Sequence, residues 1–92
     1  MATLHMDVES VRSAQSKMVS EKEAMLGELQ NLTNQINQTV GTAWVGNSAS
    51  EFQQNYETLR NQITQQLEAL AELAQKLQTE IAQWEDMAAR MG

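Results

Sequence analysis

Two glycines, Gly41 and Gly46, divide a chain that contains no proline to stop a helix. Proline removes a backbone donor and clashes with the preceding turn, so without it helices run until another signal ends them. The other glycines are Gly27 and the final Gly92. One break near the middle therefore separates two long segments.

The first segment, about Asp7 to Val40, repeats apolar residues in steps of three and four: Val8, Val11, Met18, Met25, Leu29, Leu32, Ile36 and Val40. Gln15 and Lys22 fill the two gaps, while Val19 and Leu26 widen the stripe. This spacing predicts a helix with a coiled-coil-like seam. Asp7 is placed to accept from the amides of the first turn as an N-cap. Gly27 faces away from the seam and reads as a surface glycine, costing about 1 kcal/mol against alanine.

The second segment, about Ser48 to Arg90, opens on Ser48-Ala49-Ser50-Glu51, the pattern of a capping box. Steps of seven from Ala49 reach Tyr56, Ile63, Leu70, Leu77, Trp84 and Met91. A companion stripe starts at Phe52 and Leu59, then moves one place later to Leu67, Ala74, Ile81 and Ala88. A straight helix drifts ~20° per heptad, and such a shift follows from it. Charge spacing agrees with helix: Glu72–Lys76 and Asp86–Arg90 are four apart, Glu9–Arg12 and Glu57–Arg60 three apart. Each such pair contributes only ~0.2–0.5 kcal/mol.

Residues 41–47 are too few for an element of their own and suit a connection between antiparallel helices. The expected fold is all-α: a single helical-hairpin domain over residues 1–92, with helix 1 at about 7–40, a turn at 41–47 and helix 2 at about 48–90. The candidate core and dimer seam comprises Val11, Met18, Met25, Leu29, Leu32 and Ile36 from helix 1. From helix 2 it takes Phe52, Tyr56, Leu59, Ile63, Leu70, Leu77 and Trp84. These stripes are two positions wide, more than one two-helix seam can cover. Large exposed strips mark association surfaces, so two hairpins are expected to dimerise into a four-helix bundle. A second copy, using the same face twice, is the first expected partner. Gln15, Lys22, Gln66 and Glu80 lie on or beside the seam, either as rim residues whose tips reach water or as selectors of register and partner.

Composition excludes several functions. Without cysteine there is no disulfide framework, thiolate metal site or cysteine nucleophile. Six basic against twelve acidic residues give a net charge of −6, which disfavours nucleic acid and anionic membrane. No apolar run approaches the ~18 residues of a membrane span, and no cleavable signal peptide is expected. His5 has no companions at ligand spacing, so neither a metal nor a cofactor is expected. Glu21, Glu23, Glu85 and Asp86 read as a solvated helix face, with no nucleophile–base pair to suggest an enzyme.

The informative place is the turn, where Trp44-Val45-Gly46 sits between two helices and Phe52 follows Gly46 by six. In this it resembles the WXG family of small type VII secretion substrates, the Esx-like proteins. The resemblance spans the whole chain: length, acidic balance, hairpin and mid-chain Trp-x-Gly. It implies a non-enzymatic protein, secreted to the cell exterior or surface without a cleavable signal peptide. Export would run through a membrane machine with an ATPase motor, as a homodimer or as a heterodimer with a sister protein. In that family the Trp-x-Gly turn lies beside a C-terminal Tyr-x-x-x-Asp/Glu segment of the partner, and the two form an export signal. Trp44 and Gly46 carry over to its first half. The second half is absent: the lone tyrosine, Tyr56, is mid-helix, and Ile81, Trp84, Glu85 and Asp86 are the nearest C-terminal candidates.

Read without the family, Trp44 can cap the open end of a bundle core or offer a recognition surface. Gly46 can take a positive φ or admit a neighbouring backbone. A second functional expectation is an adaptor that pairs with a larger effector through the apolar strip.

Overall fold

The computed structural model describes residues 5–91, and the side chain of Met91 lies outside the described part. Helix α1 runs Val8–Thr39 and helix α2 runs Asn47–Met91. They pack along each other as an antiparallel hairpin, a rod of 69 × 21 × 19 Å.

Asp7 caps α1. Its carboxylate accepts from the Ser10 amide at 3.3 Å, and that hydrogen bond holds its pKa below the usual aspartate value. The start of α2 differs from the capping-box expectation. The helix begins one residue earlier, at Asn47, with Ser48 inside its first turn. Gly46 turns the chain, and its carbonyl accepts the first helical bond, from the Ser50 amide at 3.2 Å.

The seam follows the 3.6-residue period of the helix rather than the strict heptad. In α1 the half-buried line passes through Val11, Gln15, Met18 and Lys22, then Leu26, Leu29, Thr33 and Ile36. Met25 and Leu32, expected on the line, are 44% and 48% exposed, with Leu26 and Thr33 in their places. Two heptads of drift are enough to move the facing position by one residue. In α2 the buried residues are Ala49 and Tyr56, then Leu67, Ala74 and Ile81. One step of eleven between steps of seven carries the seam from the first stripe to the companion stripe. Ile63, Phe52 and Leu59 therefore lie outside it and are exposed. Leu70, Leu77 and Trp84 stay half-buried at its edge.

A polar clasp pins this register. The Thr33 hydroxyl donates to the Leu29 carbonyl at 2.8 Å, so the buried Tyr56 hydroxyl donates to Thr33 Oγ1 at 2.7 Å. Further along, Ala71 and Ala74 leave a hollow of about 330 Å³ beside Gln15, Val19 and Lys22. The Lys22 ammonium reaches its rim and meets the Glu23 carboxylate at 3.3 Å. Gln66 and Glu80 are exposed. Arg12 reaches across the helices to Glu85 at 3.0 Å instead of back to Glu9, while Asp86 and Arg90 pair at 3.2 Å.

The two long faces of the rod differ. One carries Leu32 and Phe52 in a shared groove, and Met25 and Leu59 continue those stripes at heptad spacing. The other carries a groove of Gln30, Thr33, Arg60 and Thr64 with Leu26 and Leu29, and a bond from Gln53 to Asn37 at 3.1 Å.

A Cβ placed on Gly27 would meet nothing within 4 Å, so no close helix approach requires the glycine. Gly27→Ala is expected to stabilise the fold by about 1 kcal/mol in urea denaturation. Tyr56→Phe removes the clasp while leaving Thr33 bonded to Leu29, and is expected to cost about 1 kcal/mol in the same measurement. The depressed Asp7 pKa gives a sign for pH: its stabilising effect is complete above the ordinary aspartate range. It is lost as pH falls through the lower folded value, and Asp7→Asn is expected to flatten that part of a thermal-stability profile.

Candidate functional site

The turn is closed by its own backbone. Helix α1 ends as the Val40 amide bonds to the Ile36 carbonyl at 2.9 Å. The Thr39 carbonyl then accepts from the amides of Ala43 and Trp44, each at 3.0 Å, and from Thr42 at 3.4 Å. The Gly41 amide donates to the Trp44 carbonyl at 2.8 Å. Two hydroxyls fold inward as well, Thr39 onto the Gln35 carbonyl and Thr42 onto the Gln38 carbonyl.

Both glycines are conformational. Gly41 has φ +96° and Gly46 has φ +125°, and a Cβ at either would meet nothing within 4 Å. Of the two roles open to Gly46, backbone geometry is thus the one observed, since no neighbouring backbone crowds it. Such dihedrals are costly for any residue with a Cβ.

Trp44 emerges from this loop 40% exposed. Its ring lies 5.4 Å from that of Phe52, centroid to centroid, at a tilt of 49°. Aromatic pairs favour tilted or offset arrangements of this kind. The two rings, with Leu32, Ile36, Val40, Gln35 and Thr39, line a groove of about 380 Å³. Trp44 therefore leans on the end of the hairpin, against Phe52, and is still 40% exposed. Val45, at the apex, is 74% exposed.

The C-terminal candidates are not brought to the turn. Ile81 is a buried seam residue and Trp84 is half-buried. Glu85 is held by Arg12 and Asp86 by Arg90. Along α2 they stand on the order of 55 Å from Trp44, at 1.5 Å per residue. Tyr56 is likewise engaged in the Thr33 clasp. Among the described residues no three His, Cys, Asp or Glu side chains gather as a metal site. No described helix is long and apolar enough to cross a membrane.

A mid-chain Trp-x-Gly at the exposed turn of a helical hairpin is the geometry the sequence pointed to. The sequence model for proteins of 100 residues with WXG matches residues 3–86. The chain belongs to that family. No curated protein and no solved structure matches it. As a member it is a small helical protein of the WXG secretion-substrate type.

Val45 is the variable position of the Trp-x-Gly tripeptide, so the motif itself does not single it out. A cue to it was present: from Leu29 to Ser50 the chain has no Asp, Glu, Lys or Arg. For the glycines the expected result is direct. Gly46→Ala, forced to a positive φ, is expected to destabilise the hairpin by about 1–2 kcal/mol, measured by denaturant unfolding.

Proposed function

We propose that this WXG-family chain is a non-enzymatic protein exported by a type VII system as a folded pair of hairpins. In that role Trp44 and Gly46 form the turn half of the export signal. The carrying observation is the exposed Trp44 at the apex of the hairpin in a chain that matches this family. Gly46 shapes the loop, and Trp44 supplies the surface.

Pairing is supported by area. The single chain exposes 7253 Å², whereas a compact monomer of 10.3 kDa would expose about 5,400 Å². The surplus is that of a rod with no interior. Its apolar face displays Met25, Leu32, Phe52 and Leu59. A second family hairpin laid on that face would bury them in a four-helix bundle. The same pairing would bring one chain's turn beside the other chain's C-terminal end, where Ile81, Trp84, Glu85 and Asp86 stand. Since this chain lacks the tyrosine of the second half-signal, a sister protein or larger effector carrying it is a fitting partner, as is a second copy.

Trp44→Ala is expected to reduce export strongly while circular dichroism shows unchanged helix content. Normal secretion of the folded variant would defeat the reading. Sedimentation of the chain alone is expected to give a species heavier than 10.3 kDa. A stable lone hairpin at high concentration would remove the pairing.

A further inference from the structure

The turn end is chemically unlike the rest of the rod. Although 20% of all residues are charged, none between Leu29 and Ser50 is. The amides of Val40, Gly41, Thr42, Ala43 and Trp44 all donate to main-chain carbonyls, and the Thr39 and Thr42 hydroxyls also bond inward. The loop through Trp44 has turned its donors to the interior, and the amides of Val45 to Ala49, where α2 starts, have no acceptor among the described residues. What the apex shows outward is Val45, 74% exposed, and Trp44, 40% exposed. Removing water from charges or unpaired amides is what makes polar surfaces expensive to bury. The stretch carries no charge and its loop amides through Trp44 are paired, so the cost of dehydration falls on the free amides at the start of α2 alone.

We propose that the apex is read by an uncharged, apolar cleft of a partner protein, and that Val45 is a specificity-determining contact there alongside Trp44. This rests on the reading of the turn as a recognition element and names the chemistry of its partner. The cleft takes Val45 and the exposed part of the Trp44 ring as knobs. Two features favour a protein over a lipid surface. The stretch has no Lys or Arg to hold anionic headgroups. A tryptophan anchored in a dehydrated pocket is the usual centre of a protein hot spot. Because no charge takes part, recognition at this end is insensitive to salt.

The test compares export of Val45→Lys, Val45→Glu and Val45→Leu with that of Trp44→Ala, in a bacterium carrying the cognate machinery. Val45 is exposed, so the variants are expected to fold, and circular dichroism of each purified chain checks this. Both charged variants should lose on the order of tenfold in exported protein, the change that loss of one hot-spot contact brings. Val45→Leu, which keeps the contact apolar, should lose less export than either charged variant. Using both signs of charge separates dehydration from simple repulsion. Normal export of the charged variants beside a defective Trp44→Ala would overturn this inference and leave the export reading intact. Normal export of Trp44→Ala would remove both. Binding of the original chain to phosphatidylcholine vesicles, abolished in Val45→Lys, would assign the apex to a bilayer and likewise overturn the protein cleft.

Discussion

Two helices in contact share one line, and a line encloses no interior. That constraint governs this molecule. Among the described residues the buried ones lie on α2, at Ala49, Tyr56, Leu67, Ala74 and Ile81, while α1 contributes a seam that is at most half-buried. Helices in proteins owe most of their stability to packing of an amphipathic face rather than to propensity. A hairpin with so thin a seam leaves much of that stabilisation to a covering surface, and its unused apolar face is where such a cover would fit. Fold and association are in this sense a single problem for the chain.

The seam itself is specified by detail as much as by greasiness. The Thr33–Tyr56 clasp joins the helices near the turn, and Arg12–Glu85 joins them near the free ends. Exposed ion pairs such as the second contribute ~0–1 kcal/mol, so the buried clasp is the stronger constraint on register. Between them the alanines of α2 make room for Lys22 and Gln15, which lets polar residues occupy a seam position while their tips reach water. The chain's one tyrosine, Tyr56, is engaged in this clasp at mid-helix.

At the turn, backbone conformation and exposed apolar surface fall to different, adjacent residues. Gly41 and Gly46 adopt backbone angles that side chains resist, and the Thr39 carbonyl gathers the loop's amides. This leaves Trp44 and Val45 with no part in closing the loop through their side chains. Their exposure is a consequence of how completely the loop closes without them.

Much of this was legible in the sequence. The absence of proline, the glycines at the centre and the three-four spacing define two helices and their boundaries to within a residue at most ends. The Asp7 cap and the Asp86–Arg90 pair follow from local spacing as well. The Ser48 cap was misplaced because the bond that starts α2 comes from a glycine carbonyl, which no side-chain pattern reports. Met25, Leu32, Phe52, Leu59 and Ile63, each of them as apolar as a core residue, lie outside the contact between α1 and α2 and are exposed on the single chain. Sequence by itself determined that there would be a hairpin with a Trp-x-Gly turn and more apolar surface than it could use. Only the tertiary structure decided which apolar residues meet inside and which remain outside. That choice depends on the fraction of a turn by which each helix rotates along its length, a mismatch between 3.5 and 3.6 that accumulates and is resolved only when the two helices touch.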